Sequence, residues 1–248
     1  MFEEYIEELK KSRPMSSRPP DKYDCPKCKD SGWLIIKGEN GYDTTRRCDC
    51  WALRQSKMML EQSGIADSFK EKTFENFTTG KDQRLIQAKS KAENYAKCFG
   101  KNERTRYNSI LFCGQVGAGK THLGIAISNR LMIAGVAVSY MPYRNAVTKI
   151  KQNITDEAEY NRELEKYMRA RVLYVDDLLK GKVTESDTNI LYELVNHRYM
   201  NNLPFIISTE KTIDSLLNFD EAIGSRIIEM CRGNIVQLQG KDLNYRLR

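Results

Sequence analysis

The stretch Ser109-Ile-Leu-Phe-Cys113, continuing as Gly114-Gln-Val-Gly-Ala-Gly-Lys120-Thr121-His122-Leu123, decides the fold. The apolar run Ile110–Cys113 predicts a short buried strand, and the pattern from Lys120 to Ala134 predicts a helix. Between them, Gly114 to Thr121 matches GxxxxGK[ST] in full, in the strand–loop–helix context that gives the motif its meaning. Glycines let the main chain curl with its N–H groups pointing inward, and a helix N-terminus adds positive potential. Gly114, Gln115, Val116, Gly117, Ala118 and Gly119 are therefore expected to cradle phosphates, with His122 following at the helix start. Lys120 is expected to reach the β- and γ-phosphates and Thr121 to give a hydroxyl to Mg²⁺. The expected ligand is a nucleotide; with no NKxD guanine-reading motif and no LSGGQ-like signature, the GTPase and ABC readings fare worse.

Outward from this loop, short apolar runs alternate with helical patterns. Ile110–Cys113, Val136–Tyr140, Val172–Val175 and Pro204–Ser208 read as buried strands. Lys120–Ala134, Tyr143–Gln152, Asp156–Arg169 and Glu185–Asn202 read as helices. Such alternation predicts an α/β fold with a parallel sheet covered on both faces. Lys81–Phe99 reads as a helix with a basic exposed face, reached through the polar-aromatic connector Phe69–Phe77. The tail, Ile235 to Arg248, reads as one further strand and a polar end.

The second half of the site is Val172-Leu-Tyr-Val-Asp176-Asp177. Four apolar residues place Asp176 at the carboxyl end of a buried strand, where open α/β sheets bind ligands. Asp176 is expected to hold Mg²⁺, directly or through water, and Asp177 to polarise the attacking water. The strand PFIISTE ends in Ser208, Thr209 and Glu210; a polar side chain there would report the γ-phosphate, or the segment is an ordinary strand-end turn. Arg226, in EAIGSRIIEMC, is either a solvated charge or an arginine presented to a neighbouring subunit's nucleotide.

Residues 1–65 read as a separate module, 66–107 as a connector with its basic helix, and 108–248 as the ATPase core. Phe2, Tyr5, Ile6 and Leu9 have helical spacing in an acidic segment, and Ser12–Asp24 carries three prolines and reads as an arm. Cys25-Pro-Lys-Cys28 is followed, after 19 intervening residues, by Cys48-Asp-Cys50. Two knuckles of this kind supply four thiolates to a tetrahedral structural Zn²⁺, and Gly38 and Gly41 suit a hairpin that brings the second pair round. Four protein ligands close such a site and leave no catalytic position. Trp33, Trp51 and Tyr23 lie near Arg13–Lys29, Arg46 and Arg47. Either they stack single-stranded nucleic acid or the tryptophans pack on the knuckles as a small core. Cys98, Cys113 and Cys231 read as small core residues.

Composition closes off other classes. Forty Lys and Arg against 33 Asp and Glu leave +7, compatible with nucleic acid. The longest uncharged stretch, Leu131–Tyr143, has 13 residues, short of the ~18 a bilayer crossing needs. The odd cysteine count and the acidic first residues argue against export, so the expected location is the cytoplasm.

Taken together, the four-cysteine module, the FENF connector, GQVGAGKTHL, the strand ending VDDL, the strand ending IST and then IGSRI resemble the replicative-helicase loaders of the DnaC/DnaI type, bacterial or phage. These are AAA+ ATPases, with the transposition helper IstB as a near relative. The resemblance implies an ATPase core acting in a homo-oligomer with nucleotide at subunit interfaces. It also implies binding of single-stranded DNA by that core, and docking on the hexameric replicative DNA helicase through the N-terminal module. By position it makes Gly114–Thr121 Walker A, Asp176–Asp177 Walker B and Arg226 an arginine finger. It places the γ-phosphate sensor within Ser208–Glu210, with Thr209 taken as the nucleotide-contacting member. Many relatives carry Asn where this chain has Glu210. Little chain remains for a helical lid, which leaves Arg246 either a residual phosphate-sensing arginine or part of a frayed tail. The implied function is ATP-controlled loading of the helicase on single-stranded DNA; the competing readings are an IstB-like transposition helper and a non-enzymatic zinc adaptor.

Overall fold

The computed structural model describes residues 23–37, 42–62 and 71–247 of the 248-residue chain. The helix expected at residues 2–11, most of the proline-bearing arm and the glycine turn at Gly38 and Gly41 lie outside them. The described residues form two compact units that divide between Trp51 and Ala52.

The smaller unit is an antiparallel hairpin of β1 (Trp33–Lys37) and β2 (Asp43–Arg47), in register Trp33↔Arg47 through Lys37↔Asp43. Helix α1 (Asp49–Gln62) begins directly after it. Among its described residues, Cys25, Cys28 and Cys48 form the buried cluster, with Leu34 and Cys50 packed against them.

The larger unit is built on five strands: β3 (Ile110–Gly114), β4 (Val138–Pro142), β5 (Val172–Leu178), β6 (Phe205–Thr209) and β7 (Ile235–Leu238). Their order is β4-β5-β6-β3-β7 and every pairing is parallel. Strand alternation then sorts the side chains into two layers. Ile110, Phe112, Tyr140, Tyr174, Ile206 and Val236 face one side, where α2 (Gln83–Asn102) and α3 (Lys120–Ile133) cover them. Leu111, Cys113, Met141, Leu173, Val175 and Ile207 face the other side. That side is covered by α4 (Tyr143–Gln152), α5 (Glu157–Met168), α6 (Glu185–Met200), α7 (Ile213–Phe219) and α8 (Glu221–Met230).

Local chemistry sets the helix starts. Asp82 caps α2, Asp156 caps α5, and Thr184 with Asp187 forms a reciprocal capping box on α6. Asp220 both ends α7 and caps α8, a break that the apolar pattern of this region does not announce. Arg198 is fully buried; its guanidinium donates to the carbonyls of Tyr167, Met168, Ala170 and Pro204, closing the end of α5 onto the start of β6.

Three expectations shift. The second strand runs Val138–Pro142, two residues later than Val136–Tyr140, because Gly135 takes a left-handed turn (φ +79°) after α3. β5 extends through both aspartates to Leu178, with a bulge between Val175 and Leu178. Phe74, Phe77 and the buried face of α2 join the same core cluster as Ile110 and Phe112, so residues 71–107 are part of the core layer. Of the three scattered thiols, Cys113 and Cys231 are buried and Cys98 is half-exposed on α2.

Candidate functional site

A cavity of 330 Å³ opens at the carboxyl end of the sheet, within the usual range for a small-molecule site (~300–1,000 Å³). Its wall takes Val116, Gly117, Ala118, Gly119, Lys120, Thr121 and His122 from the loop and the first turn of α3. Gly119 stands before the helix at φ +87°, and a Cβ there would lie 2.5 Å from the Phe77 ring. Both the turn and the close approach require glycine. Gly114 and Gln115 lie behind the wall and anchor the loop: the Gln115 amide donates to the Leu238 carbonyl at 2.6 Å. A concave run of main chain that leads into a helix N-terminus fits a polyphosphate.

Lys120 is buried, with its Nζ 2.8 and 2.6 Å from the carbonyls of Gly114 and Gln115. Burial lowers its pKa, while the nearby Glu210 and Asp177 carboxylates oppose that shift. The Thr121 hydroxyl donates to Asp176 Oδ1 at 3.0 Å across the gap between α3 and β5. The loop and the strand-end aspartate are thus brought together as the motif spacing predicts. A hydroxyl and a carboxylate side by side beneath a phosphate cradle are hard oxygen donors, the set that suits Mg²⁺.

Asp177 lines the cavity at φ +58°, a left-handed conformation that Asp tolerates better than most residues. The bulge in β5 turns it away from the Asp176 side. Lys180 Nζ lies 2.7 Å from Asp177 Oδ2 and 3.3 Å from Glu210 Oε1, and these partners raise the lysine pKa. Thr209 is turned away from the cavity. Alternation puts it on the inner face with Ile207, where its hydroxyl donates to the Leu178 carbonyl at 2.7 Å. The residue of this strand end that reaches the cavity wall is Glu210. Ser208 is fully buried and bonded to Asp176.

Arg226 does not line this cavity. It lies half-buried on α8, donating 2.7 Å to the Ala222 carbonyl, with Tyr192 and Tyr199 of α6 each 5.5 Å from its guanidinium. Its Nε is buried without a hydrogen-bond partner.

Two further wall segments escape a motif search. The connector supplies Asn76, Phe77 and Thr78, pinned to α3 by the 2.7 Å contact of His122 Nε2 with the Thr73 carbonyl and by Asn129 donating to the Lys72 carbonyl. Desolvation lowers the His122 pKa. The tail supplies Leu243, Tyr245 and Arg246. It is held by the Tyr245 amide donating to the Gly117 carbonyl at 3.1 Å and by Arg84, which bonds the Gln239 carbonyl and Asp242. Arg246 therefore stands at the cavity and not on a frayed end. The FENF aromatics were the available signal in the sequence.

In the smaller unit the four Sγ atoms of Cys25, Cys28, Cys48 and Cys50 lie within 4.8 Å of one another. Cys25–Cys48 and Cys28–Cys50 are 3.7 and 3.3 Å apart. Zinc–thiolate bonds of about 2.3 Å give tetrahedral edges of ~3.8 Å, so the set fits Zn²⁺. The Cys28 amide pulls the Cys25 thiol down to about 7, while burial and the neighbouring thiols push Cys50 up. Leu34 faces the cysteines; strand parity puts Trp33 on the opposite face, where Trp33 and Trp51 each lie 4.2 Å from the Arg47 guanidinium. The tryptophans therefore sandwich an arginine and do not form the core over the knuckles.

Comparison with known proteins agrees with this geometry. Residues 69–231 match the family described as the bacterial DnaA ATPase domain. The phage-like element PBSX protein XkdC of Bacillus subtilis (strain 168) is 36% identical, over 99% of this chain and 97% of its own length. The fold is that of the DnaC helicase loader crystal structure (TM-score 0.54, 18% identity, 69% of this chain and 98% of that one). It is equally that of the replication initiator DnaA bound to AMPPCP and single-stranded DNA (TM-score 0.56, 22% identity, 70% of this chain and 51% of that one). Among the described residues no helix is long and apolar enough to cross a membrane. With a family match over most of its length and an end-to-end relative in XkdC, the chain belongs to the bacterial DnaA ATPase-domain family, in the AAA+ fold it shares with the helicase loaders.

Proposed function

We propose that this chain is an ATP-dependent DNA-replication protein that loads the replicative helicase onto single-stranded DNA. The observation that carries the nucleotide half is the convergence of Lys120, Thr121 and the Thr121–Asp176 hydrogen bond on one cavity. The loop amides and Lys120 bind and orient the β- and γ-phosphates, and the connector and tail walls exclude water from them. Thr121 and Asp176 hold Mg²⁺, which neutralises developing charge on the transferred phosphoryl group. Asp177 takes the proton of the attacking water, and Lys180 and Glu210 set its charge environment. Arg226 acts on a neighbouring copy's nucleotide once its guanidinium leaves the two tyrosines. Zn²⁺ is structural, held by the four cysteines of a module that docks on the helicase.

The loading half is supported by the family, by the DnaC-like fold and by the cysteine module. Two experiments test the reading in turn. Lys120→Ala is expected to weaken binding of a fluorescent ATP analogue by about 100-fold, since it removes a charge-assisted contact; wild-type affinity would refute the site. Pull-down of the hexameric helicase from host extract should succeed with the full chain and fail without residues 1–65. Equal capture by both would place docking elsewhere.

A further inference from the structure

The Asp176 carboxylate sits at the centre of a hydroxyl cage that the motif does not call for. Its Oδ1 accepts from Thr121 at 3.0 Å, from Tyr174 at 2.7 Å and from Ser208, and its Oδ2 accepts from Tyr140 at 3.0 Å. Three of the four hydroxyls crowd Oδ1, which has about two lone-pair sites, and one takes Oδ2.

The cage follows from strand register. Tyr174 and Asp176 are two apart on β5 and so share a face; Tyr140 pairs directly with Tyr174 on the neighbouring strand. Their rings pack with centroids 5.3 Å apart. Ser208 arrives from the other side, on β6. Its hydroxyl does two things at once: it donates to Asp176 and accepts the Asp177 amide at 3.0 Å. That second bond secures the bulge that sends the two neighbouring carboxylates in different directions. Helix α3 is shaped to admit the arrangement. A Cβ on Gly124 would fall 2.6 to 2.7 Å from the Tyr174 ring and hydroxyl, so this helix position is open only as glycine.

We propose that Tyr140, Tyr174 and Ser208 are positioning residues of the nucleotide site, fixing the plane of the Asp176 carboxylate against Thr121 and, through Ser208, its angle to Asp177. This rests on the Mg²⁺–ATP reading above. Three donors on Oδ1 leave that atom committed to orienting hydroxyls. With Oδ2 accepting from Tyr140 alone, the carboxylate keeps acceptor capacity for the cation site while it aims the Thr121 oxygen, and the cage turns an otherwise rotatable side chain into a fixed acceptor. A purely structural role, in which the aspartate merely satisfies buried phenols, would alter stability alone.

Full-length Tyr174→Phe, Tyr140→Phe, Ser208→Ala and Ser208→Thr separate these roles. Affinity for a fluorescent ATP analogue is measured in Mg²⁺ and again in EDTA, beside the melting temperature. Tyr174→Phe and Ser208→Ala are expected to lose roughly tenfold of the Mg²⁺-dependent gain in affinity, the loss of one hydrogen bond to a charged group. Their affinity in EDTA stays within about twofold of wild type. Tyr140→Phe, acting on Oδ2 only, should lose roughly threefold, and Ser208→Thr should restore what Ser208→Ala removes. If all four keep the wild-type Mg²⁺ gain while melting lower, the cage is structural and the proposal falls. Should Tyr174→Phe fail to fold, the Ser208→Ala and Ser208→Thr pair decides alone. A wild-type chain that binds no nucleotide in either buffer would instead sink the ATP reading.

Discussion

The two units reach order by opposite routes. The larger one buries two apolar layers against a five-stranded sheet, and its site stands on strand ends that packing already holds. The smaller one buries three cysteines, with Leu34 and Cys50 beside them, while Trp33, Ile35, Ile36 and Tyr42 remain exposed. Among the described residues a core that small contributes little by hydrophobic burial, and its four thiols are spaced as a bound metal would need them. One region offers a packed scaffold to a ligand; the other is arranged so that a ligand could serve as its scaffold.

The largest effect that would break this contrast is metal removal. Structural zinc contributes about 10–16 kcal/mol in small modules. Chelation, or Cys25→Ser with Cys48→Ser, is therefore expected to unfold the hairpin and leave the core intact. Both tryptophans of the chain, Trp33 and Trp51, lie in the module. Their fluorescence should collapse while nucleotide binding persists; loss of both together would erase the distinction.

The converse perturbation is Arg198→Met. It strips four carbonyls, three of them buried, of their donor, at ~1–3 kcal/mol for each buried group left unsatisfied. The core should lose about 3 kcal/mol or more in denaturant melts followed by circular dichroism, with tryptophan emission unmoved at concentrations where the core melts early.

A smaller effect sharpens the picture inside the core. Arg84 holds the Asp82 carboxyl down to about 2 and lowers Asp242, chiefly through side-chain hydrogen bonds. Depressed carboxyls stabilise above their unfolded pKa, near 3.9, and lose that contribution as pH falls toward 2. The protection of the Leu243 to Tyr245 amides, relative to their intrinsic exchange rates at each pH, should therefore fall on acidification from pH 5. Arg84→Gln should show low protection already at pH 5 and little further change.

Much of this was legible in the sequence, and unevenly so. The phosphate loop stands out because a cradle needs glycine at fixed offsets; Gly119 against Phe77 shows why. The cysteine pairs stand out because tetrahedral geometry admits few spacings. Tyr140 and Tyr174 read as core, which they are; only pairing register, which no local pattern encodes, brings both phenols to Asp176. Family resemblance alone points Thr209 at the nucleotide; the strand runs one residue past Ser208, which turns Thr209 inward and passes the cavity wall to Glu210. Leu243 is hidden, and Arg246 stays undecided between a phosphate sensor and a frayed end, because a polar tail announces no contact with a loop some 125 residues earlier.

That last distance has a consequence for biogenesis. The amide that follows Gly114 is tethered to the carbonyl of Leu238, on the strand laid beside β3 last of all. A ribosome adding ~5–20 residues per second needs roughly 6–25 s to travel the 238 − 115 = 123 residues from Gln115 to Leu238. Through that interval the nascent polypeptide carries its glycine loop without the edge that shapes it, so competence for ATP arrives only as translation of this segment finishes.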